Sequence, residues 1–103
     1  MSSDDTVTIR LSEEYDVANA PTITGDVDAA IADGARRVVI DMSSVVFMDS
    51  TALGALIEAK KRAEAGGATL ELADVPANTE RLLRLTALDQ VFTITSTSGD
   101  EDD

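Results

Sequence analysis

Ser50 stands in the run Asp41-Met42-Ser43-Ser44-Val45-Val46-Phe47-Met48-Asp49-Ser50-Thr51-Ala52-Leu53-Gly54-Ala55-Leu56, where an apolar, strand-like stretch hands over to a helical pattern. A hydroxyl at such a junction has two uses. It can cap the helix by accepting a backbone N–H. It can also accept a phosphoryl group, which adds about −1.5 to −2 charges and three acceptor oxygens at the helix end that best tolerates an anion. Asp49 is an equally good cap, and no capping box completes either choice, because Ala52 and Leu53 stand where a reciprocating Glu or Gln would be. Spacing alone favours the cap, but capping does not explain the neighbours. Ala52, Gly54 and Ala55 are all small, and Gly54 costs about 1 kcal/mol relative to Ala inside a helix. Such a face is expected where a neighbouring element or another protein packs closely.

Other chemistry finds few residues to work with. The chain has no Cys and no His, which removes thiol nucleophiles, disulfides, imidazole bases and the usual zinc sites. No Gly-x-x-x-x-Gly-Lys loop, Gly-x-Gly-x-x-Gly turn or Gly-x-Ser-x-Gly elbow occurs. Acid pairs exist at Glu13 and Glu14, Asp26 and Asp28, and Asp41 and Asp49. With 20 acids in 103 residues, such pairs arise by chance and are read as solvated surface. Neither an enzyme nor a cofactor is expected.

The elements that must position Ser50 can be read from periodicity. Thr6 to Ser12 alternates with Val7, Ile9 and Leu11 on one face, a half-buried strand. Asn19 is placed to cap a helix whose first turn holds Pro21, whose apolar positions are Ile23, Val27, Ala30 and Ile31, and which Gly34 stops. Arg37 to Asp41 is a β-branched run, apolar on both faces, expected in the centre of a sheet covered by helices. Thr51 to Ala65 follows as a helix with Leu53, Leu56 and Ile57 inward, a Glu58 to Arg62 pair, and Gly66-Gly67 as its stop. Thr69 to Ala73 is a strand, Pro76 opens a helix carrying Leu82, Leu83 and Leu85, and Val91 to Thr95 is the last strand. The alternation implies an α/β fold with right-handed crossovers onto a largely parallel sheet.

At 103 residues the chain holds one domain with one core. Hydrophobic residues make up 44% and aromatics 3%, so the core is aliphatic. No apolar stretch approaches the roughly 20 residues needed to span a bilayer, and Met1 to Asp5 has no basic n-region; a cytoplasmic protein without membrane insertion is expected. The net charge is −12. Six of the 20 acids lie at Asp4, Asp5, Asp100, Glu101, Asp102 and Asp103, leaving 14 against 8 bases. Residues 1–5 and 96–103 are therefore expected to be disordered acidic tails around a domain at 6–95. The sign argues against nucleic acid and for a protein partner.

Taken together, Val39-Ile40-Asp41-Met42-Ser43-Ser44-Val45-Val46-Phe47-Met48-Asp49-Ser50-Thr51-Ala52-Leu53-Gly54 resembles the signature of the STAS domain, in its anti-sigma factor antagonist branch. Glu14-Tyr15-Asp16 resembles that family's Gly-Glu-x-Asp loop, Val75-Pro76-Ala77 its x-Pro helix start, and Leu88 to Phe92 its closing Leu-x-x-x-Phe. The likeness spans Thr6 to Thr95. Departures are Ala52 and Glu13, each where the family usually has Gly, and the short polar ends, where the family tends to have an extra strand before the one at Thr6 and a helix after the last strand. The resemblance implies a mostly parallel sheet of about four strands with about three helices, an extra edge strand being an alternative, and a monomer or weak dimer. It further implies a phosphorylation site at Ser50, with Thr51 the second choice, and a partner-binding face of Asp16, Asp49, Ser50, Thr51, Ala52, Gly54 and Ala55. The implied partners are an anti-sigma factor that is a serine kinase and a metal-dependent serine phosphatase. A constitutive STAS scaffold, in a stress-signalling assembly or a lipid or anion transporter, is the alternative, and nucleotide binding is a weaker one.

Overall fold

In the computed structural model the chain runs β1 (Thr6–Arg10), β2 (Glu14–Tyr15), α1 (Pro21–Ala32), β3 (Arg37–Asp41), β4 (Phe47–Met48), α2 (Ser50–Ala65), β5 (Thr69–Ala73), α3 (Ala77–Leu85), a 3-10 turn (Leu88–Gln90) and β6 (Thr93–Thr95). The structure describes residues 5–95, so the expected tails and any extra terminal strand or helix lie outside the described residues, except for Asp5, whose carbonyl accepts the Arg36 N–H at 2.8 Å and which therefore belongs to the domain. One sheet has the order β1-β3-β5-β6, parallel throughout, and β2 and β4 form a separate parallel pair. This is the small α/β domain the sequence implied, with two added strands too short to leave a period.

Strand order advances in one direction across the sheet, so right-handed crossovers place α1, α2 and α3 over the same face. Burial follows the register. The rows Val7, Val38, Leu70 and Ile9, Ile40, Leu72, Ile94 face the helices. The intervening rows, Thr6, Arg37, Thr69 and Thr8, Val39, Glu71, Thr93, form the opposite face, where Arg37 and Thr69 are exposed. The expectation of helices on both sides of β3 is therefore corrected: β3 is central, but among the described residues no helix covers one of its faces. What takes the place of covering helices is charge pairing. Arg37 forks onto Glu71 with bonds of 2.9 and 2.8 Å, and Arg10 meets Asp41 at 3.4 Å.

Under the helices, Ile23, Val27 and Ala30 of α1 and Leu56, Ala59 and Ala63 of α2 are buried. The alanines let the two helices approach, and Arg62 of α2 ties them by reaching Asp28 of α1 as well as Glu58 at 3.3 Å. Both helices stop as expected. Gly34 and Gly67 have φ of 94° and 83°, a left-handed turn that glycine adopts without strain. Just beyond each, Ala35 donates to the Ala30 carbonyl at 3.1 Å and Ala68 to Ala63 at 2.8 Å, closing the Schellman bond.

Two boundaries differ from expectation. The 3-10 turn takes the N–H groups of Val91 and Phe92 onto the Leu88 carbonyl, 2.9 and 3.1 Å, so β6 begins only at Thr93. Asn19 is not the cap of α1. The residue before Pro21 is Ala20, with no side-chain cap, and Asn19 is consumed by the loop before it. No helix of the described residues is long and apolar enough to cross a membrane.

Candidate functional site

Asp49, not Ser50, caps α2. Its backbone is extended, with φ −93° and ψ −177°, and its Oδ1 accepts the Ala52 N–H at 2.9 Å. The Asp49 N–H, which a capping-box glutamate would have taken, donates instead to the Tyr15 carbonyl at 3.2 Å. Ser50 is thereby released from the capping role that spacing favoured. It is the first residue of the helix and exposed, as is Thr51, and neither hydroxyl is hydrogen-bonded among the described residues.

The β2–β4 pair brings the Asp16 loop to this helix start. Glu14 pairs with Phe47 and Tyr15 with Met48, while the Glu13 carbonyl accepts the N–H groups of Val46 and Phe47 at 2.6 and 3.0 Å. Asp16 and Asp49 are the next residues along these neighbouring segments. Tyr15 anchors the ladder from inside: it is buried, and its hydroxyl accepts the Ser12 N–H at 3.0 Å. The loop then closes on itself. Asp16 Oδ1 accepts from the Ala18 N–H and Asn19 Oδ1 from the Asp16 N–H, each at 2.9 Å. Asn19 Nδ2 donates to the Glu14 carbonyl at 2.9 Å. A fixed backbone thus holds the exposed Asp16 alongside the segment that leads into the exposed Ser50.

Of the seven residues expected on a contact face, Ser50, Thr51, Gly54 and Asp16 are exposed, and Asp49 and Ala55 are half-buried. Ala52 is corrected. It is fully buried, because with Leu53, Leu56 and Ala59 it belongs to the inward stripe of α2. Ser50 and Gly54 are one helical turn apart and share a face. Among the described residues nothing approaches Gly54: a Cβ added there would meet no atom within 4 Å. Sequence reasoning missed the β2–β4 ladder and the exposure of Val17, Val46 and Phe47 around it. In the unbroken apolar run Val45-Val46-Phe47-Met48, nothing tells the outward residue from the inward one.

A model of the STAS domain matches residues 2–101. The fold is similar to a Thermotoga maritima protein described as an anti-sigma factor antagonist, with a TM-score of 0.81 and 27% identity, over 92% of this chain and 82% of that one. An anti-sigma factor antagonist from Mycobacterium paratuberculosis is also similar, with a TM-score of 0.76 and 27% identity over 89% of this chain and 78% of that one. A sulfate transporter family protein from Wolinella succinogenes shares the fold at a TM-score of 0.78 and 18% identity, over 88% of this chain and 76% of that one.

Proposed function

This chain belongs to the STAS domain family, and from that premise we propose that it is an anti-sigma factor antagonist whose unphosphorylated form binds a serine-kinase anti-sigma factor and frees the sigma factor held by it. The kinase transfers the γ-phosphoryl group of ATP to Ser50 Oγ, the hydroxyl proton leaves, and ADP is released. Phosphorylation ends the association, and a metal-dependent serine phosphatase restores it. The protein is a substrate and a competitor in this cycle, not a catalyst.

The observation that carries this reading is the division of labour at the start of α2. Asp49 caps the helix, so the Ser50 hydroxyl is presented to solvent and can be modified without removing the cap. The exposed residues Asp16, Ser50, Thr51 and Gly54, flanked by Asp49 and Ala55, supply the contact face. A phosphate at Ser50 gains from the helix N-terminus but is repelled by Asp49 and must be desolvated when a partner covers it. Each tenfold loss of affinity needs only about 1.4 kcal/mol, so one covered phosphate can end binding with the domain still folded.

The test is phosphate incorporation and binding measured on the same variants. Ser50→Ala is expected to abolish incorporation by the cognate kinase while still binding it, and Ser50→Asp to weaken binding. Full phosphorylation of Ser50→Ala, at Thr51 or elsewhere, would overturn the assignment. A constitutive scaffold, by contrast, would bind its partner equally well with Ser50 phosphorylated or not.

A further inference from the structure

Beside Ser50 lies an apolar feature that neither the fold nor the phosphorylation cycle uses. The chain has three aromatic residues. Tyr15 and Phe92 are 6% and 5% exposed, but Phe47 is 53% exposed. The strand that carries it accounts for this. In a two-residue β4, Met48 turns inward and Phe47 must turn outward. Val46 before it and Val17 of the adjoining loop are 61% and 72% exposed. Three large apolar side chains therefore stand on segments stitched together by the β2–β4 ladder, with Phe47 only three residues before Ser50.

The surroundings of this patch are acidic. Glu13, Glu14 and Asp16 are exposed on the neighbouring segment, and Glu14 is the residue paired with Phe47. Neither residues 11–35 nor residues 38–59 contain a single Lys or Arg. An aromatic centre with a charged rim is the arrangement that concentrates binding energy at protein interfaces. The other exposed large apolar side chains among the described residues, Leu85 and Val91, share their part of the chain with Arg81 and Arg84 as well as Glu80 and Asp89, a mixed setting and not an acidic one.

We propose that Phe47, flanked by Val17 and Val46, is the anchor by which this domain docks on its kinase, inserting into an apolar pocket that is ringed by Lys and Arg. The proposal rests on the anti-sigma reading of Ser50 and extends it. The anchor supplies affinity that does not depend on Ser50, the acidic rim sets orientation and on-rate, and docking of Phe47 brings the hydroxyl three residues on to the kinase.

The probe is a serine-kinase anti-sigma factor from the same organism, titrated with the full chain and assayed for phosphate transfer to it. Phe47→Ala is expected to weaken binding on the order of 30-fold, with the melting temperature held. Phe47→Tyr should retain binding, and Leu85→Ser should bind like the wild type. Wild-type association should slow as NaCl is raised. Unchanged affinity in Phe47→Ala, with wild-type binding and phosphorylation intact, overturns the anchor and leaves the Ser50 reading standing. A wild-type chain that neither binds the kinase nor is phosphorylated by it overturns both. Should Phe47→Ala fail to fold, Val17→Ser in the exposed loop decides: several-fold weaker binding supports the anchor patch, and unchanged binding overturns it.

Discussion

Gly54 occupies the second turn of α2, exposed, with open space where its side chain would be. Glycine in a helix interior costs about 1 kcal/mol relative to alanine, and the fold recovers none of this through close packing. Gly25, inside α1, is likewise exposed and faces open space. The two positions make a matched pair. Gly54→Ala and Gly25→Ala are each expected to raise the melting temperature, by roughly 4–8 °C per kcal/mol gained for a domain of this size. Only Gly54→Ala should weaken kinase binding, because its methyl group shares a face with Ser50. Thermal melts beside a binding titration check this, and equal binding by both variants would remove Gly54 from the contact face. The sequence showed that a glycine sat where a helix would not choose one. It could not show whether a neighbour inside the molecule or outside it was responsible, since that depends on which strands and helices come to surround it.

At the scale of elements, the open face of the sheet is where the outcome departs most from expectation. Val38-Val39-Ile40 reads as apolar on both sides, yet Val39 stands in a row with Thr8, Glu71 and Thr93 and is only half-buried. The pattern on β3 alone was misleading; the polar residues facing it come from β1, β5 and β6. Glu71 is held below the ordinary carboxylate range, chiefly by its hydrogen bonds from Arg37, and Asp41 chiefly by the Ser43 backbone N–H. In the unfolded chain these groups titrate near the usual value of about 4. Because their folded values are lower, their stabilisation is complete above that pH and is lost as pH falls through the folded values. Glu71→Gln is thus expected to melt below the wild type at pH 7, and the difference to close as the pH is taken below about 4. Melts across that range check the sign. A gap that widened in acid would remove the pairing with Arg37 as its cause. The elements around Ser50 were more legible. Periodicity placed α2, and the Gly66-Gly67 stop is where the helix ends. The β2–β4 ladder was not legible, since two-residue strands carry no period.

For the whole molecule, the decisive quantity is a net charge of −12 on 103 residues. Like charges repel most in the compact state, and salt screens them over a Debye length of about 10 Å at 0.1 M. The melting temperature is expected to rise as NaCl goes from about 10 mM to about 300 mM, across Debye lengths of roughly 30 to 6 Å, which calorimetry would read directly. A fall would mean that the cross-strand and interhelical ion pairs outweigh the general repulsion. The same salt that steadies the free domain should slow its docking, so folding and recognition respond to ionic strength in opposite directions. Composition made the charge legible but not its separation into an acidic edge at Glu13, Glu14 and Asp16 and a sheet face of paired charges, because that division is made only when the strands fall into register. The β2–β4 ladder gives that edge a further property. It is made of main-chain bonds in which the Glu13 and Tyr15 carbonyls accept the N–H groups of Val46, Phe47 and Asp49, with Asp16 and Asn19 closing the loop. Main-chain bonds are indifferent to the side chains they carry. Glu13, Glu14, Val17 and Ala18 can therefore be exchanged while the loop keeps its main-chain bonds, so the chemistry this edge displays is separable from the shape that displays it.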